Sequence, residues 1–235
     1  MGRIIVALIL VGVVAGLTGY FLFLRRPNMS IRNVRTSTWI HNPASHPEWA
    51  ISVGERCGDA PFLLPTNGYI GYLWDDSFRV GTRHQGIDIF AGTGVGITPV
   101  YAAYDGYLSR QSDWISTVII RIPSDPLQPG RQIWTYYTHM ADANGNSFIS
   151  DQFPPGTSEV FVTAGTLLGY QGNYSGSPNN PTGIHLHFSI VKDDGAGHYL
   201  NELQITNTID PSPYFGLPLN GISNTGEIPV CQTNP

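Results

Sequence analysis

The chain has 235 residues, room for one sizeable domain, and an ordinary 41% hydrophobic fraction, so it can bury a full core. A net charge of −5 lacks the basic excess that nucleic-acid binding requires, and only 12% of residues are charged, against about 25% in a typical globular protein. With 27 glycines and 18 prolines set between aromatic and β-branched runs, the composition argues against a helical bundle and for short strands joined by many turns.

Residues 4–24 (IIVALILVGVVAGLTGYFLFL) carry no charge, and as a helix they would span about 30 Å, the thickness of a bilayer core. A cleaved signal peptide has a shorter apolar run of about 7–15 residues followed by a small-residue cleavage site. Here the run ends in aromatic residues and Arg25-Arg26-Pro27. Residues 1–26 therefore read as a single-pass transmembrane helix, an uncleaved anchor. Arg25, Arg26, Arg32 and Arg35 outnumber Arg3, so the Lys and Arg count alone would put the rest of the chain in the cytoplasm. Residues 27–50, rich in Asn, Ser, Pro, Thr and Arg with no sustained period, read as a linker, and His41 and His46 as ordinary loop residues.

The remainder reads as strands. Residues 99–108 (PVYAAYDGYL) predict a strand with a turn at Asp105-Gly106. Residues 117–122 (TVIIRI) and 132–139 (QIWTYYTH) predict a hairpin around the turn-rich PSDPLQPGR. Residues 160–172 predict two short strands broken at Ala164-Gly165, and residues 183–191 (GIHLHFSIV) alternate cleanly. Brief helices are expected near 199–204 and 213–215. The expected fold is all-β, an antiparallel sandwich over residues 51–220 with a tail at 221–235. The two cysteines, Cys57 and Cys231, are far apart, so a sulfur-built metal site is not expected. In an exported domain they can pair and tie its ends together, worth about 5 kcal/mol in the chain-entropy treatment; otherwise they are two buried thiols.

Four of the seven histidines fall in three short segments: Arg83-His84-Gln85-Gly86-Ile87-Asp88, Tyr136-Tyr137-Thr138-His139 and Gly183-Ile184-His185-Leu186-His187-Phe188. Residues i and i+2 of a strand share a face, so His185 and His187 project together while Leu186 and Phe188 point into the core. Two imidazoles side by side on the exposed face of an otherwise apolar strand are hard to justify by packing. His84 and Asp88 would lie about 13 Å apart if fully extended, but Gly86 offers a bend that folds one back toward the other. One Asp and two His with a fourth position left for water make a catalytic rather than a structural metal site. Further histidines nearby can then take a proton from that water or steady an oxyanion. Tyr137 shares the face of His139 by strand alternation, although core packing is its more ordinary role. His198, in GAGHYL, reads as exposed.

These motifs resemble the lysostaphin-type (LytM-like) zinc metallopeptidases, peptidoglycan endopeptidases. RHQGIDIFAGTGVGITPVYAAYDGYL is similar to the family's first block, YYTHM to the middle one, and VTAGTLLGYQGNYSGSPNNPTGIHLHF to the last, over residues 80–191. The resemblance implies a barrel-like antiparallel domain of the duplicated hybrid motif type, with Zn2+ in a groove. It assigns His84, Asp88 and His187 as zinc ligands and His139 and His185 as the catalytic pair. The implied partners are peptidoglycan peptides and, through the anchor, the membrane, with the catalytic domain outside the cytoplasm; wall chemistry thus opposes the charge count. The longer Gly-rich stretch after Asp88 and the extended loop at 141–159 are expected to reshape the groove walls. A non-catalytic wall-binding or amidase-activating module of the same fold is the alternative, disfavoured by the complete five-residue set. A zinc carboxypeptidase would carry a catalytic Glu near the last His, and Glu202 stands well outside that motif.

Overall fold

The computed structural model describes residue 16, residues 27–77 and residues 81–231, with backbone alone for residues 27–30. The expected anchor lies outside the described residues apart from Gly16, and no helix among the described residues is long and apolar enough to cross a membrane.

Strands dominate. They are β1 (Tyr69–Tyr72), β2 (Ile87–Phe90), β3 (Pro99–Tyr101), β4 (Gly106–Ser109), β5 (Val118–Ile122), β6 (Ile133–Thr138), β7 (Val160–Val162), β8 (Leu167–Tyr170), β9 (Leu186–Lys192) and β10 (Thr208–Ile209). A large antiparallel sheet runs β1-β2-β9-β6-β5-β4-β7, with β10 beside β2 on the same edge of β9; β3 and β8 form a second, two-stranded sheet. One face of the large sheet supplies Ile87, Leu186, Phe188, Tyr137 and Ile120 to a core that Val100 and Leu168 of the small sheet close from the other side. Alternation along each strand sends the next residues to the opposite face, where the site forms.

The predicted β5–β6 hairpin is present, the two short strands expected over 160–172 are β7 and β8, each in a different sheet, and β9 carries the alternating run. The stretch at 99–108 divides between the two sheets instead of forming one strand: β3 pairs with β8, whereas β4 pairs with β5 and β7. A short helix, α2 (Ser212–Phe215), forms where expected and ends at Gly216 with φ 65°. The one expected near 199–204 is instead a single 3-10 turn at Ile205–Asn207.

Residues 27–50 differ most from expectation. Residues Pro27–His41 form a helix, α1, followed by two 3-10 turns. Arg32, Thr36 and Trp39 lie at i, i+4 and i+7 and are all buried, while Ile31, Val34 and Ile40 are exposed. The buried stripe is helical in spacing but mostly polar in chemistry, so hydrophobic periodicity does not register it. Trp39 packs on Tyr69 and donates its Nε1–H to Phe90 O at 2.8 Å. His41 closes this helix and His46 stacks on Trp49, and neither lines the groove described below. Cys57 and Cys231 are disulfide-bonded across a separation of 174 residues, joining the start of the domain to its end.

Candidate metal centre and its groove

Register builds the centre. Asp88 on β2 faces His187 on β9, and His187 in turn faces Thr138 on β6, so the three stand in one row on the face away from the core. Leu186 and Phe188, the neighbours of His187, are fully buried on the other face, as alternation requires. Gly86 sits at a bend just before β2, and a Cβ there would lie 2.1 Å from Phe188 O. Only glycine lets the approach to β2 run this close to β9.

The bend returns His84 toward Asp88. The backbone of His84 is held twice, its N–H donating to Asp76 O and its carbonyl accepting from the Asp75 N–H, each at 2.8 Å. His84 Nε2 then lies 3.1 Å from Asp88 Oδ1 and 3.1 Å from His187 Nδ1, and His187 Nδ1 is 2.8 Å from Asp88 Oδ1. All three residues are buried, and their ligand atoms lie within 4.8 Å of one another.

The outward nitrogens explain the inward ones. His84 Nδ1–H donates to Leu73 O at 2.9 Å, and His187 Nε2–H donates to Glu202 Oε1 at 2.9 Å. Those bonds leave His84 Nε2, and His187 Nδ1 once its ring is neutral, as lone-pair nitrogens facing a carboxylate oxygen. Three acceptors aimed at one point need a positive charge between them. The electrostatics agree. Burial opposes a charged His187, but Glu202 and then Asp88 outweigh it and raise its imidazole to about 10. Burial likewise opposes the Asp88 carboxylate, yet the facing His84 and His185 and the bond from His187 hold it well below the usual range. His187 does the same for the buried Glu202, against desolvation. The donor set and its supporting carbonyl and carboxylate suit a small divalent cation.

His139 and His185 complete the cluster. His185 is buried, not exposed on its face, with Phe90 stacked on its ring at 5.0 Å. Its Nδ1–H donates to Gly183 O at 2.7 Å, and its Nε2 lies 3.6 Å from Asp88 Oδ1. His139 Nδ1–H donates to Tyr174 O at 2.6 Å, and its ring centroid is 4.5 Å from that of His185. Each keeps Nε2 as an acceptor. Burial, then the neighbouring His185 and His187, lower His139 to about 3, and burial lowers His185, so both are neutral near pH 7.

His139 has φ 73°, an uncommon conformation for a residue with a side chain. It breaks the alternation of β6 and turns the imidazole onto the site face. Tyr137 consequently does not line the groove; it is fully buried, with its OH accepting from the Ala103 N–H at 2.9 Å, and Tyr136 lines the groove instead. His198 is exposed, as expected.

A groove of about 1010 Å³ opens over the cluster. Its lining includes Thr36 and Ile40 of α1, Trp114 and Tyr136, and Asn180 and Leu203. Neither the Gly-rich stretch after β2 nor the loop at 141–159 belongs to that lining, contrary to expectation. The second is used elsewhere, since Phe148 O accepts from the Tyr170 N–H and Ser150 N–H donates to Leu168 O along β8. Sequence reading missed Glu202, whose role depends on a contact 15 residues from His187, and α1 as a groove wall.

No family model matches the chain, and no curated protein matches it. Among solved structures, the chain is similar to lysostaphin/LytM-type M23 peptidases at about 20% identity. It is 20% identical to the catalytic domain of lysostaphin from Staphylococcus simulans, covering 63% of this chain and 90% of that one at a TM-score of 0.40. Against the whole antimicrobial peptidase lysostaphin from the same organism, identity is 20% and the TM-score 0.40, and the match spans 75% of this chain but 58% of that one. A similar likeness, 21% identity and TM-score 0.37, links it to the catalytic domain of the prophage-encoded M23 protein EnpA from Enterococcus faecalis, over 63% of this chain and 95% of that one.

Proposed function

We propose that the chain is a zinc-dependent endopeptidase that hydrolyses peptide bonds of bacterial peptidoglycan, held at the outer face of the cell membrane by residues 1–26. One observation carries the reading: His84, Asp88 and His187 converge with both outward imidazole N–H groups already committed to acceptors. A bound divalent zinc ion would supply Lewis acidity toward the scissile carbonyl and acidify the attacking water. The rest is the work of side chains. His139 and His185, neutral and each with a bare Nε2, take the proton from the water and pass one to the departing amine. Their imidazolium forms also oppose charge developing on the carbonyl oxygen. This pair favours a hydrolase over a binding module, which needs no proton acceptors.

Glu202 supports an endopeptidase over a carboxypeptidase, because its carboxylate is engaged with His187 and serves a ligand instead of the reacting water. Among the described residues, the groove lining contains no Lys or Arg to hold a terminal carboxylate. The Cys57–Cys231 bond fits an oxidising compartment outside the cytoplasm, which favours wall chemistry over the arginine count in setting orientation.

The test is metal content and turnover side by side. Replacing His84, Asp88 or His187 by Ala should abolish stoichiometric zinc. His139→Ala and His185→Ala should retain zinc and lose hydrolysis of purified peptidoglycan by about 10²- to 10⁴-fold. Zinc retained by all three ligand variants, or near-normal turnover in both histidine variants, refutes the assignment. A terminally amidated wall peptide should be cut as fast as the free acid.

A further inference from the structure

We propose that Arg32, on α1, is a positioning residue of the centre: through Asp76 and Leu73 it fixes the ring of His84. The inference rests on the reading of His84 as a metal ligand. The connection is continuous. Arg32 Nη2 donates to Asp76 Oδ1 at 2.6 Å, and the other carboxylate oxygen, Asp76 Oδ2, accepts from the Leu73 N–H at 2.8 Å. Leu73 O receives the His84 Nδ1–H at 2.9 Å, and Asp76 O receives the His84 N–H at 2.8 Å. Asp76 therefore holds His84 by its backbone directly and by its ring through Leu73, and Arg32 holds Asp76.

A purely structural role accounts poorly for this pair. Both side chains are nearly inaccessible, 6% and 4% exposed, and buried ion pairs contribute little net stability after desolvation. Arg32 Nε and Nη1 find no acceptor; Nη2 alone carries its bonds, to Asp76 and to Gly221 O at 3.1 Å, so most of the guanidinium is unused as a stabilising group. One turn away, Arg35 docks the same helix by donating to Gly226 O, with no link to His84. The helix also supports the catalytic pair, since Trp39 holds Phe90 O and the Phe90 ring stacks on His185.

The experiment uses the full chain and two readouts: zinc affinity by competition with a chromophoric chelator, and the visible absorption of the Co2+-loaded protein. Arg32→Met should bind zinc about 10-fold more weakly, at the low end for residues that orient ligands, with altered Co2+ bands. Arg32→Lys should recover most of the loss. Arg35→Met should lower the melting temperature and leave both metal readouts at wild-type values. Arg32→Met/Asp76→Asn strands no buried charge and should show the same loss; it decides the matter should Arg32→Met not unfold cooperatively. Wild-type zinc affinity and Co2+ spectrum in this double variant overturn the inference. His84→Ala runs in parallel: if it too binds zinc normally, the ligand reading has failed, whereas its loss beside intact Arg32 variants isolates the failure to Arg32.

Discussion

Raising the pH of a chelator-treated sample puts the proton and the metal in direct competition at His187. With its imidazole raised to about 10 by Glu202 and Asp88 against burial, His187 carries a proton at pH 7 that metal binding must expel from Nδ1. The sign follows from linkage: a raised histidine stabilises the fold fully below its ordinary value near 6.5, and that stabilisation is lost as pH rises through about 10. The proton is then worth roughly 5 kcal/mol to the unmetallated fold, as an order of magnitude. Zinc affinity should accordingly rise about tenfold per pH unit between about 7 and 9 and flatten beyond the folded value. Calorimetric titration in buffers of differing ionisation enthalpy counts the protons. The wild type should expel one more proton at pH 8.5 than Glu202→Gln, in which the largest raising influence is gone. Identical proton counts in the two proteins refute the coupling of Glu202 to His187.

Other consequences can be measured directly. Glu202→Gln should also weaken zinc binding by about 10- to 100-fold in chelator competition at pH 7.5, as expected for loss of a ligand's carboxylate partner. Gly86→Ala puts a Cβ against Phe188 O and should separate β2 from β9, lowering stability by at least about 3 kcal/mol in urea melts and abolishing zinc retention. Reduction of Cys57–Cys231 should cost about 2–5 kcal/mol, seen as a lower melting temperature, because a loop of 174 residues is released.

The parts of this molecule legible in its sequence are those governed by short-range periodicity. His185 and His187 were bound to share a face once Leu186 and Phe188 entered the core, and the bend at Gly86 followed from the need to return His84 to Asp88. The turn-rich break at 123–131 likewise gave the β5–β6 pairing. Tyr137 takes the core role that was its more ordinary expectation, and only its shared face with His139 fails, because a left-handed residue cannot be read from alternation: His139 leaves the strand at φ 73° and it is Tyr136 that lines the groove. The helical stripe of Arg32, Thr36 and Trp39 was hidden by its polarity, since apolar spacing is blind to a buried face that is satisfied by a carboxylate and a carbonyl.

A common cause lies behind the two omissions that matter for chemistry. Ligands must meet at one cation, so their residue types and spacings are constrained and leave a pattern. The groups that orient ligands need only offer an oxygen at the correct place, and a backbone carbonyl serves as well as a side chain. Leu73 O supports His84, while a glutamate supports His187, and neither choice is dictated by local sequence. The arm at residues 27–41, expected as a spacer, supplies Arg32 to Asp76 and Trp39 to Phe90, and both partners bear on site histidines. On the proposed function, a helix that follows an apolar, membrane-length run and also packs beside the candidate metal site would couple the anchoring of the chain to the geometry of its chemistry.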